Sequence, residues 1–199
     1  TDTIAGDCIG NFTILRTFTA TDHCDNTSSE VQTITIQDTT GPDFTDIPED
    51  YTAECSDAHP FDLASAEDNC GDLEITYAAD TLAGACIGNY TITRTFTATD
   101  ECGNSSTAEQ VITIVDTTGP EFTSIPADYT AECSDEHPFD SSSAVDNCSS
   151  VEITEATDTI AGGCTDTYTI LRVFTATDEC GNVTSVTQSI SIVDTTAPV

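Results

Sequence analysis

The chain repeats itself with a period of 78 residues, the distance from Gly41 to Gly119. Shifted by that distance, the segment from Gly41 to Thr118 aligns without a gap on the segment from Gly119 to Thr196 and is identical to it at 52 of 78 positions. Residues 1–40 match the C-terminal part of each full repeat in the same way. Self-similarity at a fixed period is typical of arrays in which one supersecondary unit recurs along the chain. An array this regular indicates a structural role.

The repeat predicts where the domains begin and end. Residues 1–40 correspond to the C-terminal half of a repeat, and two full repeats follow at 41–118 and 119–196. Residues 197–199 correspond to the start of the next one. We therefore expect this sequence to be a window cut from a longer array.

The charge of the chain excludes several classes of partner. Asp and Glu number 36, whereas Lys and Arg together number three, and the net charge is −33. Nucleic acids bind through clustered basic residues, and anionic lipid repels acidic surfaces, so neither is expected as a partner. Membrane insertion is not expected, because no apolar run approaches the roughly 18 residues that span a bilayer. Ile, Val and Phe alternate with Thr between the acids, which is not the pattern of a disordered chain.

The pattern of apolar residues predicts an all-β fold. Between Tyr90 and Ala98, apolar residues and Thr alternate strictly, as in a half-buried strand. A turn at 102–104 leads to a second strand at 110–115, and shorter strands are expected at 50–55, 63–68 and 73–77. Five to seven strands per repeat, without helical periodicity, predict a rod of tandem antiparallel β-sandwiches of the Ig-like type.

The ten cysteines occupy four positions of the repeat and predict disulfides. Even the closest, such as Cys55 and Cys70, are spaced far more widely than the Cys-x-x-Cys of a zinc knuckle. Disulfides form in oxidising compartments, so we expect an exported, extracellular protein. A strand over 89–99 would span about 33 Å, too far for Cys86 to reach Cys102. With alternating strand directions, the predicted pairs are Cys55 with Cys86, Cys70 with Cys102, Cys133 with Cys164, and Cys148 with Cys180. Cys8 and Cys24 would then have their partners upstream.

Three acidic positions recur in phase and predict structural calcium sites. They lie in the Asp-Thr-Thr linker between repeats, before each Asn-Cys pair, and at the end of the long strand. In a sandwich these segments meet at one end, and Ca²⁺ takes six to eight oxygen ligands. The expected ligand sets are Asp38, Asp68 and Asp100, then Asp116, Asp146 and Asp178, with auxiliary oxygens from Asn69, Asn104, Asn147 and Asn182. The alternative is that these residues only cap turns, although three converging carboxylates would repel one another without a cation.

The three arginines occupy one position of the repeat, which the alternation points inward. A buried Arg needs a carboxylate partner, and the candidates for Arg94 and Arg172 are Glu54 and Glu132, or Glu74 and Glu152. The alternative is an exposed anion-binding stripe. Catalysis finds no support in the sequence, because the histidines and serines lie in loops outside any recognisable nucleophile motif. We therefore expect a protein that is not an enzyme.

The motifs ECSD, DNC, YTITRTFTATDECGN and ITIVDTTGP resemble the HYR-like and bacterial Ig-like repeats of giant secreted proteins. The resemblance covers the whole chain and is strongest to cell-surface adhesins of the Bacteroidetes, including those of gliding bacteria. It implies a stalk or filament, often stiffened by calcium, whose partners are neighbouring repeats, other copies in a filament, and a surface glycan or protein at a distal tip. The alternative function is that of an adhesive module that itself binds glycan or protein.

Two kinds of sugar-acceptor signal occur. Asp-Thr followed by an aliphatic residue or Thr resembles the O-glycosylation motif of exported Bacteroidetes proteins, which makes Thr3, Thr39, Thr81, Thr117, Thr159 and Thr195 candidate acceptors. Asn-x-Ser/Thr also recurs, but chance matches are the default in a chain so rich in Asn and Thr.

Overall fold

The computed structural model describes residues 1–197, and within them all regular structure is β-strand. The partial repeat, residues 1–40, contains β1 (Asp2–Ala5), β2 (Phe12–Thr21) and β3 (Thr27–Ile36). The next repeat contains β4 (Asp43–Asp46), β5 (Tyr51–Glu54), β6 (Ser65–Glu67), β7 (Leu73–Ala83), β8 (Tyr90–Asp100) and β9 (Ser105–Val115). The last contains β10 (Glu121–Ser124), β11 (Tyr129–Glu132), β12 (Ser143–Val145), β13 (Val151–Ala161), β14 (Tyr168–Asp178) and β15 (Val183–Val193).

Each full repeat has one four-stranded and one two-stranded sheet. The strand orders are β5-β9-β8-β7 with β4-β6, and β11-β15-β14-β13 with β10-β12, while residues 1–40 form the sheet β1-β2-β3. The all-β, Ig-like fold class is confirmed. The expectation of purely antiparallel sheets is wrong for β11, which pairs in parallel with β15 from Tyr129 opposite Ile190 to Glu132 opposite Val193. The chain reaches β11 from the two-stranded sheet and not through a tight hairpin from β15. A tight hairpin would make the pair antiparallel, whereas a crossover allows parallel pairing.

The strands β7 and β9 extend further than the apolar pattern indicated, whereas β5 and β6 are shorter than the strands expected at 50–55 and 63–68. The expected strand at 73–77 is the beginning of β7, and the expected strand at 110–115 is the end of β9. In the last repeat, β13 pairs with β14 along its whole length, from Val151 opposite Asp178 to Ala161 opposite Tyr168. The added residues are mostly Thr, Ser, Ala and acids, so backbone pairing, rather than an apolar face, accounts for the extra length.

The core of each full repeat comes from alternate residues of the long strands. Phe96, Ala98, Ile112 and Ile114 are buried in one repeat, and their equivalents Phe174, Ala176, Ile190 and Ile192 are buried in the next. Tyr129, Ala131 and Tyr168 pack against the cluster of Ile170, Ile190 and Ile192. Burying one of the Ile or Phe side chains contributes about 1.5–3 kcal/mol. Phe18, at the same position in the partial repeat, is 53% exposed.

Contacts divide the chain into two compact units, and each draws on two successive sequence repeats. The first comprises Thr1–Tyr51, Pro60–Thr81 and Ile92–Ile112. The second comprises Thr52–His59, Leu82–Thr91 and Thr113–Val199. The disulfides and the carboxylate clusters described below each lie inside one of these units. The domain boundaries proposed from the period of the sequence stay a prediction.

Arg94 and Arg172 are buried, as the alternation predicted, but the predicted glutamate partners are wrong. Glu155 on β13 accepts hydrogen bonds from Arg172, at 2.7 Å from Nε and 3.0 Å from Nη2. The preceding repeat has Tyr77 at the position of Glu155, and the guanidinium of Arg94 lies 4.7 Å from the centre of that ring. Each arginine is thus contacted across the sheet by β7 or β13, whose full length the sequence pattern did not reveal. Arg94 donates from Nη1 to Gln110 and to the backbone oxygen of Asp62, and its Nε and Nη2 have no hydrogen-bond partner among the described residues. Arg16, in the partial repeat, is exposed.

Candidate metal centres and the disulfides

The six predicted calcium ligands form two clusters of three. Carboxylate oxygens of Asp38, Asp68 and Asp100 lie within 4.8 Å of one another. The oxygens of Asp116, Asp146 and Asp178 form the same arrangement one repeat later. Each cluster combines a linker residue, a residue that follows a short strand, and the last residue of β8 or β14. The sequence therefore predicted correctly which residues converge.

The linker aspartate is held by the loop that precedes the long strand. The backbone N–H of Asp116 donates to Oδ1 of Asn89 at 2.7 Å, and that of Asp38 donates to Asn11 at 2.8 Å. A Cβ on Gly88 would lie only 2.6 Å from the Cβ of Asp116, so glycine permits this close approach.

The strand-end aspartates also close a turn. Oδ1 of Asp178 accepts the backbone N–H of Asn182 at 2.8 Å, and Oδ2 accepts its side-chain amide at 2.8 Å. Asp100 and Asn104 make the same bonds. In both turns a glycine adopts a positive φ, +86° at Gly103 and +89° at Gly181. The predicted capping role is therefore present beside the clustering.

The asparagines were predicted to offer their side-chain oxygens to the clusters, but the structure does not place those oxygens there. The side-chain amide nitrogen of Asn182 donates to the backbone oxygen of Asp116 at 3.1 Å as well as to Asp178. The amide nitrogens of Asn69 and Asn147 face cysteine sulfurs. Asn104 and Asn182 brace the carboxylates, because a carboxylate can only accept hydrogen bonds and therefore attracts the NH₂ end of the amide.

Three carboxylate oxygens in the two clusters are buried without a hydrogen-bond partner among the described residues. They are Oδ1 of Asp68, Oδ2 of Asp116 and Oδ1 of Asp146. The opposite oxygen of Asp146 accepts the backbone N–H groups of Cys148 and Ser149, both at 2.9 Å. A buried, unpaired carboxylate oxygen is costly. Hard oxygen donors left free in this way fit a divalent cation such as Ca²⁺.

The electrostatics of the second cluster point the same way. Burial raises the pKa of Asp116, and the neighbouring charges of Asp146 and Asp178 raise it further. In the first cluster, burial also acts to raise the pKa of Asp100, but hydrogen bonds from Asn104 and nearby backbone N–H groups outweigh it and lower that pKa. A cation bound in either cluster would favour the charged form of its three carboxylates.

The cysteines form disulfides, but not in the predicted pairs. The bonds join Cys8 to Cys102, Cys55 to Cys148, and Cys86 to Cys180, with Cα atoms 5.2, 6.0 and 5.1 Å apart. The predictions of Cys55 with Cys86, Cys70 with Cys102, Cys133 with Cys164, and Cys148 with Cys180 are therefore wrong, as is the upstream partner for Cys8. Cys24, Cys70, Cys133 and Cys164 are free.

Each bridge crosses from one sequence repeat to the next. The sequence separations are 94, 93 and 94 residues, longer than the repeat itself. The prediction considered pairs within one repeat, whereas the cysteines that meet belong to successive repeats. The Cys55–Cys148 bridge lies beside the carboxylate of Asp116, so bridge and cluster occupy the same place.

A glutamate missed as a functional residue holds the linker. Oε1 of Glu54 accepts the backbone N–H groups of Thr117 and Thr118 at 2.8 and 3.0 Å, and both threonine hydroxyls donate to the same carboxylate. These bonds, led by the N–H of Thr117, lower the pKa of Glu54. Glu132 accepts the equivalent bonds from Thr195. The in-phase recurrence of this glutamate with the threonine pair was the available signal.

The candidate glycosylation residues lie at the surface. Thr3, Thr81 and Thr159 are exposed on β1, β7 and β13, and Thr39, Thr117 and Thr195 are exposed in the linkers. The hydroxyls of Thr117 and Thr195 are already engaged as donors to Glu54 and Glu132. Modification at any of the six stays a prediction.

Three disulfides among the described residues are typical of a protein that works in an oxidising environment, and the chain is extracellular. Over residues 1–197, no helix has the length and apolar character needed to cross a membrane.

Neither a protein-family model nor a curated protein matches the chain. Among solved structures it is similar to mouse clustered PcdhgC3 EC1-3, with a TM-score of 0.34 and 14% identity over 94% of this chain and 79% of that one. It is also similar to the human Desmocollin-1 ectodomain, with a TM-score of 0.31 and 12% identity over 94% of this chain and 48% of that one. A third similar structure is Drosophila N-cadherin EC1-4, with a TM-score of 0.31 and 14% identity over 92% of this chain and 58% of that one. The chain spans about half the length of these last two. TM-scores this low carry no argument about function.

Proposed function

We propose that this chain is a non-enzymatic segment of an extracellular stalk or filament, in which disulfides tie successive repeats together and calcium stiffens the places where they meet. The observation that carries the proposal is the pair of carboxylate clusters. Each gathers three acidic side chains from separate segments, and three of their oxygens are buried and unpaired. An arrangement of this kind is favourable with a cation and unfavourable without one.

Calcium in these clusters would tie a linker to the repeat that follows it. Asp116 ends one sequence repeat, whereas Asp146 and Asp178 belong to the next. A bound ion would cross-link the three segments at the place where Glu54 already holds the linker threonines and Cys55 bonds to Cys148. Three constraints on one linker suit a spacer that must transmit force without bending.

The resemblance to adhesins of gliding Bacteroidetes extends this to a surface stalk. Even repetition and a net charge of −33 favour a self-avoiding spacer over an adhesive surface. In that setting the partners of this segment are its neighbouring repeats and other copies in the filament. A glycan or protein ligand would bind at a tip elsewhere in the full protein.

Calorimetric titration with Ca²⁺, at physiological ionic strength and in excess Mg²⁺, tests the proposal. We expect two sites per chain, one for each complete cluster. Asp116→Asn should remove one site and Asp68→Asn the other, whereas Glu152→Gln, which removes one exposed charge from β13, should remove neither. The heat of Ca²⁺ binding could instead stay unchanged in the cluster variants, or be reduced as much by Glu152→Gln as by them. Either result would show that Ca²⁺ only screens the acidic surface.

A further inference from the structure

The Cys55–Cys148 bridge is in contact with the second carboxylate cluster. Its two sulfurs and a carboxylate oxygen of Asp116 all lie within 4.8 Å of one another. The Cys86–Cys180 bridge joins the same two repeats, but over the described residues its sulfurs belong to no such group. One junction therefore carries a bridge beside a buried carboxylate and a second bridge that can serve as its reference.

Each cysteine of this bridge is also tied to a segment that carries the cluster. Next to Cys55, Glu54 holds the linker that follows Asp116 through two backbone N–H groups. The backbone N–H of Cys148 donates to Oδ2 of Asp146 at 2.9 Å. The bridge thus spans the same two segments that a cation between Asp116 and Asp146 would span.

In the absence of a cation, the cluster opposes the bridge. The bridge holds together segments whose carboxylates, on Asp116, Asp146 and Asp178, repel one another. Oδ2 of Asp116 is buried without a hydrogen-bond partner among the described residues. Reduction of the bridge supplies two S–H groups beside this carboxylate, and a thiol is able to donate a weak hydrogen bond to it. Both effects favour the open form.

The same contacts act in the opposite direction when a cation is bound. The repulsion between the carboxylates is then neutralised, and the free oxygen of Asp116 serves as a ligand. The three ligands need the linker and the loop of Asp146 side by side, which is the arrangement that the bridge enforces. The cation is therefore bound more tightly when the bridge is closed, and by linkage the bridge is harder to reduce when the cation is bound.

A small reductant has access to this bridge. Both of its cysteines are half-buried rather than enclosed. A cleft of about 370 Å³ opens beside them, and its walls include Ser56 and Asn147, which are the chain neighbours of the two cysteines, together with Asp146. A thiol that enters the cleft meets the bridge and the cluster at the same place.

We propose that Cys55–Cys148 is the reducible bridge of this junction and that calcium controls its reduction. With calcium held by Asp116, Asp146 and Asp178 the bridge persists, and after calcium is withdrawn it becomes the favoured site of thiol–disulfide exchange. The inference rests on the proposed calcium site and adds redox control of the same junction. Calcium loss together with a thiol reductant releases the linker, whereas either one alone leaves a constraint in place.

The exchange is a two-electron reduction by a dithiol. A thiolate of dithiothreitol attacks one sulfur of the bridge, which forms a mixed disulfide and releases the other cysteine as a thiolate. The second thiol of the reagent then attacks the mixed disulfide and releases the first cysteine. Two electrons and two protons pass to the cysteines, and the reagent leaves as a cyclic disulfide.

Equilibration of the whole chain with dithiothreitol and its cyclic disulfide, with air excluded, measures the coupling. The free cysteines are first replaced with Ser so that only the bridges exchange; they are Cys24, Cys70, Cys133 and Cys164. After acid quenching and alkylation, peptide mapping gives the reduced fraction of each bridge in Ca²⁺ and in EGTA. Equilibrium values are needed, because the acidic cleft also slows the approach of a thiolate.

Reduction of Cys55–Cys148 should be about tenfold less favourable in Ca²⁺ than in EGTA, a factor within the usual range for coupled sites. For this two-electron couple, tenfold corresponds to about 30 mV. The reference bridge, Cys86–Cys180, should shift by much less in the same sample. In EGTA, Asp116→Asn should make reduction of Cys55–Cys148 less favourable, because it removes repulsion that the bridge opposes. Glu152→Gln, which removes an exposed charge, should leave that equilibrium unchanged.

Linkage requires the reciprocal effect on calcium. The double variant Cys55→Ser and Cys148→Ser should weaken the site of Asp116 by the same factor in calorimetry, while the site in the first cluster keeps its affinity. Ca²⁺ binding that leaves reduction of the bridge unchanged, or shifts both bridges equally, would overturn this inference and leave the calcium sites standing. If calorimetry finds no Ca²⁺ binding to the wild type, the proposed function itself fails.

Discussion

Replacing Asp116 with Asn should change stability in opposite directions with and without calcium. The three carboxylates of its cluster have oxygens within 4.8 Å of one another. At that separation Coulomb's law gives about 3.5 kcal/mol of repulsion per pair at an effective dielectric constant near 20, and about 1 kcal/mol in bulk water. Asp116 takes part in two of the three pairs, and Asp146 keeps some solvent contact. We therefore expect the variant to be more stable by about 1–3 kcal/mol in EGTA.

In calcium the stability difference changes sign, because the wild type is stabilised by the bound ion and the variant is not. A ligand present at one thousand times its dissociation constant stabilises the folded state by about 4.1 kcal/mol, which exceeds the gain expected for the variant in EGTA. Asn keeps one oxygen but removes a charge, so most of this stabilisation disappears in the variant. Asp116 suits the test because its carboxylate is weakly held: the amide of Asn182 donates to its Oδ1 at 3.5 Å, and its Oδ2 has no hydrogen-bond partner among the described residues.

Urea unfolding followed by far-ultraviolet circular dichroism measures both effects. The midpoint for Asp116→Asn should lie above that of the wild type in EGTA and below it in excess Ca²⁺. Glu152→Gln removes the same charge from an exposed position on β13 and should shift the midpoint equally in both buffers. If Asp116→Asn is destabilised by the same amount in both, the carboxylate only caps a turn and the argument for a metal centre fails.

Three further predictions concern pH and the disulfides. The raised pKa of Asp116 favours folding at low pH and opposes it as pH rises through that pKa. In EGTA the wild type should therefore gain stability relative to Asp116→Asn on acidification, and parallel profiles of stability against pH would contradict this. The hydrogen bond from Arg172 lowers the pKa of Glu155, so this pair stabilises the fold above the ordinary value of 4.5 and the effect is lost as pH falls below it. Glu155→Gln should therefore be less stable than the wild type at neutral pH and lose that difference in acid, as judged by thermal melts. Removing the Cys86–Cys180 bridge by a double Ser substitution opens a loop of 94 residues and should cost about 4–5 kcal/mol in the chain-entropy model, with a loss below about 1 kcal/mol arguing against it.

The sequence was sufficient to predict which residues are equivalent and which aspartates cluster. Strict alternation from Tyr90 onward indicated the long strand, which the structure has as β8. The phase of the acidic positions, together with alternating strand directions, predicted that Asp116 would meet Asp146 and Asp178. These are local patterns combined with the reach of an extended chain, and both can be read from the residues.

Contacts through the sheets required the structure. Glu155 reaches Arg172 only because β13 continues well past its apolar beginning, and nothing in the pattern of the sequence marks that extension. Its equivalent Tyr77 contacts Arg94 only through its ring, so the same buried arginine has different partners in two repeats. Side-chain pairing across strands depends on register, which local alternation leaves open.

The partners of the cysteines were decided by tertiary structure for a more general reason. A sequence that matches itself at a fixed period assigns each cysteine a position within a repeat, but it does not say whether Cys55 meets a cysteine of its own repeat or of the next. The observed pair differs from the predicted one in repeat and in position, because Cys148 is the equivalent of Cys70 and not of Cys86. Only the three-dimensional path of the chain brings Cys148, rather than Cys86, within bonding distance of Cys55.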